Sequence, residues 1–144
     1  MSKYKLSDDL KAECIAMVHG YDRRVALYHE RRSFTTWDNT IVDVDDELQR
    51  IEELADTRMM RAVEQAKFLV GVDLEESQRQ RLATAIWDSC ILGRYFTFDS
   101  YDLSADKIAK TAFFKLRAKF LWDIARFMEF LTEAQLKAGA CNVT

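Results

Sequence analysis

Apolar residues recur along this chain at steps of three and four, the spacing that gathers side chains on one face of an α-helix. Leu10, Cys14, Met17, Val18, Tyr21, Val25 and Tyr28 form the first stripe. Ser7 precedes it with a hydroxyl suited to an N-cap, and Asp8 and Asp9 suit the positive end of the helix dipole. The stripe predicts a helix that fades near Arg31 or Arg32, with Gly20 marking a close crossing by another helix. Ser33–Asp43 has no period and holds Thr35, Thr36, Asn39 and Thr40, which predicts a loop with Trp37 folded back onto the core.

A longer stripe runs through Val44, Leu48, Ile51, Leu54, Ala55, Met59, Ala62, Val63, Ala66 and Leu69 to Gly71. Asp56-Thr57 offers a second cap within it, so one helix or two fit the pattern. Asp73 followed by Glu76 has the spacing of a capping box for a helix whose apolar face is Leu82, Ala85, Ile86, Ser89 and Cys90, with Gly93 at its left-handed end. Tyr95, Phe96, Phe98 and Tyr101 are too bulky for a surface loop and predict a short helical turn tucked into the core. Ser104 or Asp106 then caps a last long helix through Ile108, Ala112, Leu116, Phe120, Ile124, Phe127 and Leu131, and residues 132–144 either extend it or fray.

Proline is absent and glycine occurs four times, too few for the many turns of an all-β fold. The expected architecture is all-α, a bundle of about five helices ending in a helix-turn-helix-like unit. Residues 1–74 form an N-terminal helical scaffold, 75–131 the helix-turn-helix-like region and 132–144 a tail, within one compact domain. No stretch reads as a signal peptide or a membrane helix, so a cytoplasmic protein is expected. Cys14, Cys90 and Cys141 are odd in number and far apart, which fits free thiols better than disulfides or zinc ligands.

Charge changes this picture. Residues 1–106 carry 14 Lys/Arg against 21 Asp/Glu, whereas residues 107–144 carry 7 against 3, one basic element on an acidic body. Lys107, Lys110, Lys115, Arg117, Lys119 and Arg126 fall in or beside the last long helix, where only Asp123 opposes them. Lys107, Lys110 and Arg117 lie near one side of it, away from the apolar stripe. Following a helix that ends at Gly93 and a short aromatic turn, it has the layout of a recognition helix that enters the major groove.

The other constellations are weaker. Asp43-Val44-Asp45-Asp46-Glu47 superficially resembles a calcium loop, but Leu48 stands where glycine is needed and position twelve is not glutamate. An acidic helix start explains it better. His19 and His29 do not share a helical face, and no nucleophile–base pair stands out. Neither an enzyme, a metal nor a cofactor is expected. Trp87, Trp122 and most phenylalanines have core spacing.

Three blocks carry a resemblance. They are Met60-Arg61-Ala62-Val63-Glu64-Gln65-Ala66, then Leu82-Ala83-Thr84-Ala85-Ile86-Trp87-Asp88-Ser89-Cys90-Ile91-Leu92-Gly93-Arg94, then Phe113-Phe114-Lys115-Leu116-Arg117-Ala118-Lys119-Phe120-Leu121. In this order they resemble the RinA/ArpU-type transcriptional regulators of Gram-positive phages, whose C-terminal half is related to region four of sigma factors. The opening Tyr4-Lys5-Leu6-Ser7-Asp8-Asp9-Leu10-Lys11-Ala12-Glu13-Cys14, with Gly20-Tyr21-Asp22-Arg23-Arg24, is also similar. The resemblance implies a recognition helix bearing an aromatic pair, here Phe113-Phe114, and a basic run, here Lys115, Arg117 and Lys119. Leu116 and Ala118 stand where the family tends to be basic.

The leading expectation is therefore a phage-type regulator that binds double-stranded DNA in the host cytosol. Lys107, Lys110, Lys115, Arg117 and Lys119 would contact phosphates or base edges, with Arg94 and Arg126 flanking. The alternative, motivated by the acidic body and the two missing cations, is a phage-encoded inhibitor that binds a host or defence protein through Asp43, Asp45, Asp46, Glu47, Glu52 and Glu53. A purely structural helical subunit is the third. The 44–69 stripe suits intrachain pairing or a homodimer seam, with too few heptads for a coiled coil.

Overall fold

A computed structural model describes residues 3–37 and 43–140. Among them run α1 (Asp8–His19), α2 (Tyr21–Trp37), α3 (Val44–Glu53), α4 (Ala55–Leu69), α5 (Glu76–Leu92), α6 (Lys110–Phe127) and α7 (Glu133–Ala140), with no strand. The fold is an all-α helical bundle. Helix α6 lies at its centre, packed along α4 and against α1 and α5. The main core joins Cys14, Val18, Val63, Leu82, Ile86, Phe113 and Ile124. A smaller cluster of Tyr28, Ile51 and Met60 binds α2, α3 and α4. No helix among the described residues is long and apolar enough to cross a membrane.

The first stripe makes two helices, not one. Ser7 caps α1, its side chain accepting from the Leu10 N–H at 3.2 Å. At Gly20 the backbone departs from helical geometry (φ −88°, ψ 0°), yet its N–H reaches Ala16 O and its carbonyl accepts from Arg24 N. The chain bends there without losing its hydrogen bonds. What crowds Gly20 is the Arg24 guanidinium, not a crossing helix.

Residues 33–37 are helical where the sequence predicted a loop. The Thr35 hydroxyl donates to Arg31 O and the Thr36 hydroxyl to Ser33 O, so these polar side chains bond back onto the preceding turn. Trp37, at the end of α2, points to solvent with 85% of its surface exposed and does not fold onto the core. Residues 38–42, the remainder of the expected loop, and Cys141 lie outside the described residues.

The 44–69 stripe divides at Leu54, whose extended backbone (φ −65°, ψ 146°) separates α3 from α4, two residues before the expected alternative cap. Asp73 does not cap α5. Gly71 adopts φ +63°, a turn closes from Leu74 N to Gly71 O, and the helix starts at Glu76 without a side-chain cap. The predicted apolar face of α5 is buried throughout.

The connection from α5 to α6 spans residues 93–109 and contains three short 3₁₀ turns, at Gly93–Tyr95, Phe98–Tyr101 and Leu103–Asp106. It is far longer than the turn of a helix-turn-helix. Phe98 is buried in it, Phe96 and Tyr101 are half-buried, and Tyr95 is exposed. Asp102 and Lys107 both take positive φ and bracket the last turn, so Ser104 and Asp106 belong to that turn and α6 begins only at Lys110.

Helix α6 stops at Phe127, short of the predicted Leu131. Glu129 adopts φ +62°, Phe130 N bonds Ala125 O, and Glu129 N bonds Arg126 O, a Schellman end without glycine. Of the tail expected to extend α6 or fray, residues 132–140 do neither. Thr132 and Gln135 exchange side-chain-to-backbone bonds, Gln135 N to Thr132 Oγ1 and Thr132 N to Gln135 Oε1, and this capping box opens α7.

Candidate nucleic-acid interface

Helix α6 is divided lengthwise between solvent and core. Its rear residues Phe120, Leu121, Trp122, Asp123, Ile124 and Ala125 are all buried, enclosed on every side. Its front turns are held by one face only. Phe113 is fully buried and stacks on Phe96 with ring centroids 5.4 Å apart, while Ala112 is exposed. The predicted apolar stripe is thus displaced by one position at this end, because the larger ring takes the core site.

The front carries Lys107, Lys110, Phe114 and Lys115, all exposed. None of the three lysines has a carboxylate within ion-pair distance among the described residues. Lys107 precedes the helix, set by its left-handed backbone, and so shares no helical face with Lys110 and Arg117. Ala109 stands at the N-cap without a side-chain bond, and the first turn of α6 contains no acidic residue. Its unpaired N–H groups and two neighbouring lysines leave positive potential with nothing to balance it.

Asp106, the nearest acid, is already engaged. Arg81 of α5 holds it bidentately, Nε to Oδ2 at 2.8 Å and Nη2 to Oδ1 at 2.6 Å. The guanidinium keeps the Asp106 carboxyl below the usual carboxylate range. Arg81 was not among the residues expected from sequence. Its partner lies 25 positions away, and no local spacing signals such a pair.

The remaining predicted cations are tied into the fold. Arg117 is half-buried and its Nε donates to Ser89 Oγ at 2.8 Å, pinning α6 to α5. Lys119 Nζ reaches Asp123 Oδ2 at 2.6 Å, and Arg126 reaches Asp123 Oδ1 at 3.1 Å. The Asp123 side chain is only 2% exposed, and a carboxylate so buried requires paired charge. Lys119 and Arg126 therefore serve Asp123. Arg94 is exposed, its Nη2 donating to the Tyr95 hydroxyl at 2.7 Å. The structure brings Lys107, Lys110 and Lys115 to one end of the bundle and turns Lys119 and Arg126 away from it.

The acidic set lies on α3. Asp43 Oδ1 accepts from Asp46 N as the N-cap, Glu47 pairs with Arg50, Glu52 with Arg61, and Glu53 accepts from Gln49. Asp45 and Asp46 stand exposed without ion pairs among the described residues. Tyr28, packed with Ile51 and bonded to Glu52, joins α2 to α3. Phe34 and Trp37, near the end of α2, are exposed as well.

Among the described residues no three His, Cys, Asp or Glu side chains converge as metal ligands. His19 Nε2 lies 3.0 Å from Cys90 O, joining α1 to α5. Cys14 and Cys90 are free and buried, and burial pushes the Cys14 thiol up to about 12. Comparison with protein-family models, with curated proteins and with solved structures found no match. The resemblance to RinA/ArpU-type regulators rests on the quoted residues alone.

Proposed function

We propose that the protein binds double-stranded DNA through the front of α6, as a regulator of the type its sequence resembles. The observation that carries this reading is the exposed, uncapped and acid-free start of α6 flanked by Lys107, Lys110 and Lys115. Helix N-termini with adjacent cations attract phosphate, and recognition helices touch DNA with their first turns. Lys110 and Arg117, seven residues apart, share one flank of α6, while Lys115 lies well round the helix from them. Cations on two flanks suit a helix between two phosphate backbones. The contact set is smaller than the sequence implied: Lys119 and Arg126 drop out, and Arg94 and Arg117 remain as flanking groups.

Fluorescence anisotropy of a labelled duplex across a salt series tests the reading. Three phosphate contacts give a slope of log K against log salt of about −3, and each lysine replaced by glutamine among Lys107, Lys110 and Lys115 reduces it by about 1. Lys119→Gln leaves the slope unchanged because Asp123 already holds that charge. A flat salt response, or no binding at about 50 mM salt, removes the proposal.

A second reading is favoured by a different observation. Phe34 and Trp37 at the end of α2 are exposed, as are Asp45 and Asp46 at the start of α3, which have no ion pair among the described residues. Exposed aromatics and acids are groups by which proteins meet partners. In it the chain inhibits a basic, nucleic-acid-handling protein. Loss of function on Asp45→Lys with Asp46→Lys, but not on replacing the three lysines, selects this reading over the first.

A further inference from the structure

The rear of α6 closes a second place in the fold. Between the N-terminal segment, α6 and α7 lies a cavity of about 510 Å³, a volume that takes a small organic molecule. Its apolar walls come from Tyr4, Leu69, Trp122 and Leu136. Lys119 and Arg126 also line it, sharing the buried Asp123 between them. Asp123 lines it too, and among the described residues two cations on this one carboxylate leave a single positive charge uncompensated. Both keep about a third of their side chains exposed, 36% and 37%, so they remain reachable.

Trp122 supplies an independent observation. It is 6% exposed, it lines the cavity, and its indole Nε1 has no hydrogen-bond acceptor. Buried indole N–H groups ordinarily find a partner, and one left without costs stability. A Cβ added at Gly139 would collide with Cζ2 and Cη2 of Trp122, so α7 lies directly against the indole ring.

We propose that this cavity binds a small organic monoanion, a carboxylate on a flat apolar body. The carboxylate accepts hydrogen bonds from Lys119 and Arg126, and the apolar body lies against Tyr4, Leu69, Leu136 and the Trp122 ring. The single surplus charge matches a carboxylate better than a phosphate dianion, and the walls give an inorganic ion nothing to bury. The site stands apart from the front of α6 and does not depend on DNA binding.

Amide and indole ¹H–¹⁵N spectra of the full chain test it, with Trp37→Phe and Trp87→Phe assigning the Trp122 signal. Phenylacetate is expected to shift that signal saturably and to bind about tenfold more tightly than phenylacetamide. Lys119→Gln and Arg126→Gln each weaken phenylacetate about tenfold and leave phenylacetamide unchanged. An unmoved Trp122 signal, equal affinity for acid and amide, or inorganic phosphate binding as tightly as phenylacetate overturns the proposal. The comparison of acid with amide uses the unaltered protein, so it decides the matter even where a variant does not fold.

Discussion

Gly93 ends α5 with φ +56° and ψ −122°, a backbone region that side chains make costly. An added Cβ would meet nothing within 4 Å, so the whole effect of Gly93→Ala comes from the backbone. It should lower stability by about 1–3 kcal/mol in urea unfolding. Glu129 poses the reverse case, because it holds left-handed backbone without being glycine. Glu129→Gly removes the Cβ conflict and should raise stability by about 0.5–1 kcal/mol in the same measurement. The two changes have opposite signs because one position already has the residue its geometry asks for and the other does not.

Among the helices, α7 depends most visibly on its first residues. Thr132→Ala removes one half of the capping box and should cost about 1 kcal/mol, read as faster amide exchange confined to residues 133–140. The Ser7 cap and the buried face of α5 were legible in the sequence. Thr132 and Gln135 have capping-box spacing too, yet the apolar pattern pointed only to an extension of α6 or a frayed tail. The end of α6 was not legible, because its left-handed residue is glutamate. The division of the 44–69 stripe was legible as an option at Asp56-Thr57, but not its position at Leu54, which has neither glycine nor proline to mark it and lies where α2 packs on both α3 and α4. The candidate interface was half readable. Asp123 stands four residues after Lys119 and three before Arg126, the spacings at which helix neighbours pair, so the loss of those two cations follows from the sequence itself. The freeing of Lys107 depends on Arg81 reaching Asp106 across the fold, which only tertiary structure shows.

For the molecule as a whole, the Arg81–Asp106 pair makes stability depend on acidity. Its carboxyl has a lower pKa folded than unfolded, so its contribution is complete above the ordinary carboxylate range and disappears as pH falls through the lowered value. Asp106→Asn should therefore be less stable than the unaltered chain at neutral pH, the difference closing in strong acid. Urea unfolding at several pH values reads this directly, and a difference that does not narrow as pH falls below the ordinary carboxylate range would contradict it.

The enclosure of α6 also bears on how the chain comes to be folded. Cys14, Met17 and Val18 share one core with Phe120, Leu121 and Ile124, residues translated about a hundred positions later. Until that stretch leaves the ribosome, the parts of α1 and α4 that α6 covers stay open, although α2, α3 and α5 already pack against them. At about 5–20 residues per second the wait lasts several seconds. Nascent chains halted before α6 should therefore be cut by proteases faster than the complete chain.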